Sequence, residues 1–141
     1  MSYKIVDIND GRLIIIRMIA PMNPLEDLTS LYRETDSLVA GNPGVIYRIV
    51  DLTQAQLNFD LVMELLDCQR KNVSDTAPRS ARVKNFYVAT DQWGRFLVES
   101  LKQAQYGSIY APMFASVEEA LHSVHQHMKN ATIELHAVLA D

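Results

Sequence analysis

Three histidines, His122, His125 and His127, fall within one short stretch and are the only cluster of metal-ligand residue types in the sequence. On a helix, His122 and His125 lie three apart on one side, whereas His127 follows His125 by two positions and points almost opposite. A zinc site needs further ligands, and no cysteine or obvious carboxylate supplies a third beside the pair. Histidines on a helix surface are the expected reading, and no metal or other cofactor is assigned.

Asp51, Asp60 and Asp91 could gather near the carboxyl ends of strands, where open α/β sheets bind ligands and where paired carboxylates can do acid and base work. Asp60 and Asp91, however, stand where the first amides of helices need acceptors, so capping is the favoured role. No nucleophile elbow with a Ser-His-Asp order occurs, and five glycines in all include no phosphate-binding loop. No catalytic residue is assigned, and a non-enzymatic protein is expected. Cys68, the single cysteine, excludes an intrachain disulfide and reads as a reduced thiol packed on a helix.

Arg70, Lys71, Arg79, Arg82 and Lys84 concentrate positive charge around one loop with only Asp75 among them. They form the one local candidate for anion binding, although a solvated loop is favoured because no aromatics interleave the charges. Tyr87, Trp93 and Phe96 would line a small apolar recess against a sheet, and core packing competes for the same residues. Arg48 is the polar exception in an otherwise apolar strand. Its stem is expected to pack while its head reaches water, with anion binding as the lesser reading.

That strand, residues 45–52, organises the elements around it. Val45, Tyr47 and Ile49 face one way and Ile46, Val50 and Leu52 the other, the pattern of an interior strand covered on both sides. Before it, residues 3–8 and 13–19 are β-prone runs joined through Asn9-Asp10-Gly11-Arg12, a tight-hairpin signal. Asn23-Pro24-Leu25-Glu26 starts a helix in which Asn23 caps and Glu26 reaches back. Leu25, Leu28, Leu31, Tyr32 and Leu38 form its apolar stripe, and Gly41 supplies a left-handed stop. After the strand, Asn58 or Asp60 caps a second helix with Phe59, Val62, Met63, Leu65 and Leu66 on one side.

Residues 72–82 read as the one long loop, and residues 85–89 as a short strand. Thr90 or Asp91 caps a third helix with Phe96, Leu97, Leu101 and Ala104 on one face and an end at Tyr106-Gly107. Residues 109–115 read as a strand in which Pro112 marks an end or an edge. Ser116-Val117-Glu118-Glu119 is a capping box for the last helix. In residues 130–141, Ile133, Leu135, Ala137 and Leu139 alternate with polar residues, so this extension is expected to be a strand, with helix as the alternative. Strands alternating with helices after a hairpin predict an α/β sandwich. Its sheet has about five strands, mixed and mostly parallel, with four helices.

The length of 141 residues suits a single domain spanning 1–141, and 48% apolar content argues against extended disorder. A net charge of −4 gives no global positive field to gather nucleic acid or anionic lipid. Residues 1–10 lack the apolar run of a signal sequence, and residues 13–16 are too short to span a bilayer. A soluble, cytoplasmic protein with no nucleic-acid partner and no membrane span is expected.

Gly11-Arg12-Leu13-Ile14-Ile15, Ile49-Val50-Asp51-Leu52-Thr53 and the run 86–124 carry a resemblance to a known family. Within that run Asp91-Gln92-Trp93, Phe114-Ala115-Ser116 and Glu118-Glu119-Ala120-Leu121 look like a closing strand and helix. With these segments the chain resembles the STAS domains of the anti-sigma-factor antagonists, and more closely their SpoIIAA-like branch, which is also similar to lipid-binding domains. The resemblance implies a regulatory protein-interaction module that binds a partner or pairs as a homodimer. Asp51, Thr53, Asn58 and Asp60 would stand at the contact. Antagonists of the signalling branch carry a phosphorylatable serine at the start of the helix after the central strand. Here Leu57-Asn58-Phe59-Asp60-Leu61 holds no Ser or Thr, so the phosphoswitch is expected to be absent. The lipid-binding relatives imply an alternative, a carrier of a small apolar molecule.

Overall fold

The structure, a computed structural model, describes residues 3–8, 12–71 and 82–140, with the backbone alone for Val39 and for residues 130–140. Strands β1 (Tyr3–Asp7) and β2 (Leu13–Ile19) pair antiparallel, with Tyr3 opposite Met18 and Asp7 opposite Ile14. This is the expected hairpin, and its turn residues Asn9, Asp10 and Gly11 lie outside the described residues. The chain continues through α1 (Pro24–Gly41), β3 (Ile46–Gln54), α2 (Phe59–Lys71), β4 (Val83–Val88) and α3 (Gln92–Ser100). A 3-10 turn (Ala104–Tyr106), β5 (Met113–Phe114) and α4 (Val117–Ala140) complete it. The result is an α/β fold with a five-stranded mixed sheet and four α-helices among the described residues.

Strand order follows chain order, β1-β2-β3-β4-β5, and every pairing after the hairpin is parallel. Each new strand is thus added on the same side of the last. Right-handed crossovers then place all three connecting helices on one face of the sheet. On that face Ile14, Ile16, Val50 and Leu52 pack with Leu31 of α1, Val62 and Leu65 of α2 and Leu97 of α3. None of these three helices covers the other face. There Leu13, Ile15, Tyr47, Ile49, Phe86 and Val88 are closed by Ala120 and Val124 of α4, both fully buried. The two-sided apolar pattern of β3 is met by these two cores, and Arg48 falls on the face of the three helices.

Several local expectations are corrected. Residues 130–140 continue α4 as one unbroken helix rather than forming a strand. No Gly or Pro interrupts 117–140, and Ala131, Glu134, Leu135, Ala137, Leu139 and Ala140 are strong helix formers, so propagation outweighs the alternation. Gly41 is the last helical residue of α1 and does not adopt positive φ. The Asn42 side-chain amide instead donates to the Leu38 carbonyl at 2.9 Å, and Pro43 prevents continuation. Helix α3 ends at Ser100, and Gly107, at φ 102°, closes the separate 3-10 turn. Phe96 and Ala104 are exposed, and the buried side of α3 is Gly94, Leu97 and Val98. On α1 Leu25 is exposed, and on α2 Phe59 and Met63 are exposed. The reach back to the Asn23 backbone amide is made by Asp27, whose carboxylate accepts from it at 2.8 Å, whereas Glu26 accepts from the Asn23 side-chain amide at 3.2 Å. Only Met113 and Phe114 of the fifth run are strand, on the edge beyond Pro112.

Candidate functional site

The short β5 leaves a structural gap. It pairs with Tyr87 and Val88 only, so residues 83–86 of β4 have no β5 neighbour in the sheet. Beside this open edge run residues 107–112, held by amide donation from Ile109 to the Leu101 carbonyl at 2.7 Å and from Ser108 to the Gln103 carbonyl at 3.1 Å. Gly107 and Ser108 are both left-handed, Ser108 at φ 52°, a conformation that costs a non-glycine residue energy. Between edge and loop lies a cavity of about 700 Å3, within the range of small-molecule sites.

Helices α1 and α2 supply its polar wall. Thr35 and Gln69 are buried, and Tyr32 is half-buried. The Tyr32 hydroxyl donates to the Gln69 side-chain carbonyl, and the Gln69 amide donates to the Tyr106 carbonyl at 3.1 Å. From the sheet, Arg48 donates through Nε to Asn85 Oδ1 at 2.7 Å and through Nη1 to Thr35 Oγ1 at 3.2 Å. Those two bonds fix the guanidinium along the wall. Tyr87, 7% exposed, also lines the cavity. Burial pushes the Tyr87 pKa up, and the nearby Arg48 charge opposes the shift. Around the strand edge the opposite sheet face adds Phe86, with the His127 ring edge-on at 5.3 Å. The lining carries Arg48 and Lys84 and, among the described residues, no carboxylate.

A second surface lies at the carboxyl end of β3 and the start of α2. Asp51 is buried and accepts from the Thr53 amide at 2.9 Å and the Thr53 hydroxyl at 2.7 Å, so it shapes the strand end. Asn58 caps α2 by accepting from the Leu61 amide at 2.8 Å, and Asp60 stands exposed in the first turn. Asp91 caps α3, accepting from the Gly94 amide at 2.7 Å. Asp51 and Asp91 thus have local hydrogen-bonding roles, and of the two candidates for the cap of α2 it is Asn58, not Asp60, that accepts. Of the four residues expected at a partner contact, Thr53, Asn58 and Asp60 are exposed on this surface and Asp51 lies beneath it.

Adjoining Asp60 is an apolar ridge. Phe59 (55% exposed) and Met63 (40%) follow one another on α2, and Phe96 (45%) stands on α3. Trp93 joins them, edge-on to Phe59 at 6.1 Å and to Phe96 at 6.4 Å. Trp93 and Phe96 therefore belong to this ridge, whereas Tyr87 belongs to the cavity. The five basic residues are likewise dispersed. Arg70 and Lys71 are exposed at the end of α2 and pair with Asp67 at 2.7 and 3.0 Å. Hydrogen bonds from Arg70 and then Lys71 hold the Asp67 carboxyl below its ordinary pKa. Arg82 donates to the Gly44 carbonyl at 3.4 Å, Lys84 lines the cavity, and Arg79 lies outside the described residues. His122 and His125 are exposed on α4, and no three His, Cys, Asp or Glu side chains form a metal-holding group among the described residues.

Thr35 and Gln69 escaped sequence reasoning, which reads Tyr32 as a stripe residue and His127 as a surface histidine rather than as cavity lining. The one legible signal was a polar Gln69 on the 62-65-66-69 stripe of α2, where a leucine would extend the core. No helix among the described residues is long and apolar enough to cross a membrane. The chain matches no protein-family model and no curated protein.

Proposed function

We propose that this chain is a non-enzymatic, STAS-like protein-interaction module whose docking face is the start of α2 with the adjoining side of α3. The observation that carries the reading is the ridge of Phe59, Met63, Trp93 and Phe96. Three large apolar side chains stand exposed in one place, flanked by the exposed carboxylates Asp60 and Glu64. Clustered exposed aromatics with a charged rim are the surface a protein partner uses, since anchors enter pockets while rim charges select orientation. Such a partner offers apolar side chains together with positive charge. The resemblance to the antagonist family supports the same end of the sheet, and no phosphorylatable serine stands at the start of α2.

A photo-crosslinking benzoyl-phenylalanine at position 59, in cells that make the protein, tests this reading. A covalent adduct at position 59, absent at the exposed position 118 and lost when Met63→Asp and Phe96→Asp are added, is expected. Its mass tells a hetero-partner from a second copy of the chain. Equal labelling at 59 and 118 would remove the docking face. A carrier of a small apolar molecule is the second reading, favoured by the cavity at Tyr87.

A further inference from the structure

We infer that the open edge of β4 receives an extended segment of a protein partner, which adds a strand to the sheet beside residues 83–86. This surface is separate from the ridge on α2 and α3 and goes beyond the docking reading. It also gives the cavity an occupant other than a small apolar molecule.

The register of the sheet decides which backbone groups face the cavity. Ile46 stands opposite Val83, and its amide donates to the Arg82 carbonyl at 2.8 Å, so Val83 itself points away from β3. Further along β4, the Tyr87 amide donates outward to the Pro112 carbonyl at 3.0 Å, which fixes the same alternation from the other end. Val83 and Asn85 therefore direct their amides and carbonyls outward where β5 has no residue to pair with, and these groups take no backbone partner among the described residues. Donors and acceptors at strand spacing are matched by another extended backbone, and such an edge is a template for strand addition.

Residues 107–112, which could close the edge, are held instead by the Ile109 and Ser108 amides to the Leu101 and Gln103 carbonyls, with Ser108 in the left-handed region that costs a non-glycine residue energy. The cavity so left wraps the strand edge, with Thr35 and Gln69 on one sheet face and Phe86 and His127 on the other. Side chains of an added strand alternate between those faces, so the segment is expected to alternate small polar with apolar residues. Lys84 is exposed on the edge strand and makes no ion pair among the described residues, which favours an acidic residue in the segment. A second copy would have to bring a whole sheet edge past residues 107–112, whereas a single extended segment need not.

The test selects a displayed library of random linear peptides against the full chain and follows the best-enriched synthetic peptide by NMR amide hydrogen exchange. In the free chain the Val83 and Asn85 amides should exchange fast and those of Lys84 and Phe86, bonded to β3, slowly. Saturating peptide is expected to slow Val83 and Asn85 by about tenfold or more and to leave residues 59–63 unchanged. N-methylation of alternate peptide amides should abolish binding for one set and spare it for the other. Lys84→Glu, at an exposed position, should weaken the peptide about tenfold, and Phe59→Ser should not change it. A library without a linear binder, binding that survives N-methylation of either set, or protection confined to α2 would overturn the inference. Protection of Val83 and Asn85 that grows with protein concentration in the absence of peptide, together with a dimer mass, would overturn it in favour of a second copy.

Discussion

Tyr87 and Cys68 show how one side chain's surroundings set its chemistry. For Tyr87 burial raises the folded-state pKa above the unfolded value, so its contribution to stability is complete below the ordinary tyrosine pKa of about 10. The contribution is lost as pH climbs through the folded-state value, because the hydroxyl must then ionise inside the protein. Denaturant midpoints should fall more steeply on the alkaline side in the native chain than in Tyr87→Phe, and equal slopes would place this hydroxyl in water. Cys68 on α2 is half-buried, and burial first, then the Asp67 charge, raise its pKa. Since the thiolate is the nucleophile, iodoacetamide at neutral pH should label Cys68 more slowly than free cysteine and speed up in guanidinium. Both environments depend on which neighbours the fold supplies, and the residue types alone did not announce them.

Helix α3 argues at the scale of the element. Its third residue is Gly94, and an exchange for alanine in a helix usually gains about 1 kcal/mol. Here a Cβ at 94 would stand 3.0 Å from the Ala89 Cβ and 3.0 Å from the Asp91 carboxylate that caps the helix. Overpacking and a disturbed cap reverse the sign, so Gly94→Ala should lower stability by about 1–3 kcal/mol in urea denaturation. Asp91→Ala removes only the cap and should lose about 1 kcal/mol. A stabilised Gly94→Ala would show that the turn at Ala89 yields easily. Caps at Asn23, Asn58, Asp91 and Ser116 were legible from sequence because a cap is a local bond between residues a few positions apart. Helix ends were less so. Gly41 and Gly107 look alike in sequence, yet one finishes a helix in ordinary conformation beside a capping Asn42 and the other turns left-handed after a 3-10 turn.

For the whole molecule, the consequence of sequential strand order is an uneven sandwich. Among the described residues three helices share one face, and the other is covered by α4, where Ala120 and Val124 are fully buried. Among the described residues no other helix packs there to compensate a truncation. Val124→Ala removes two methyl groups from a fully buried site and should destabilise by about 2 kcal/mol, read as a lower urea midpoint. A change under about 0.5 kcal/mol would mean that α4 can settle onto the sheet without that contact. The same topology makes β5 the last strand and a short one, which leaves the edge of β4 open and creates the cavity beside it.

The amino-acid order determined the sequence of elements, the hairpin start, the two-faced character of β3 and the helix caps. Periodicity and capping act over a few residues, where chain neighbours are also spatial neighbours. Only the tertiary structure decided which polar residues meet. Thr35, Arg48 and Asn85 come together from α1, β3 and β4, and Gln69 joins Tyr32 across α1 and α2, over separations of tens of residues. It also parted Tyr87 from Trp93 and Phe96, because α3 turns its aromatic side outward to Phe59 while β4 turns Tyr87 toward Arg48. Helix orientation and strand register set those distances, and both follow from how whole faces pack.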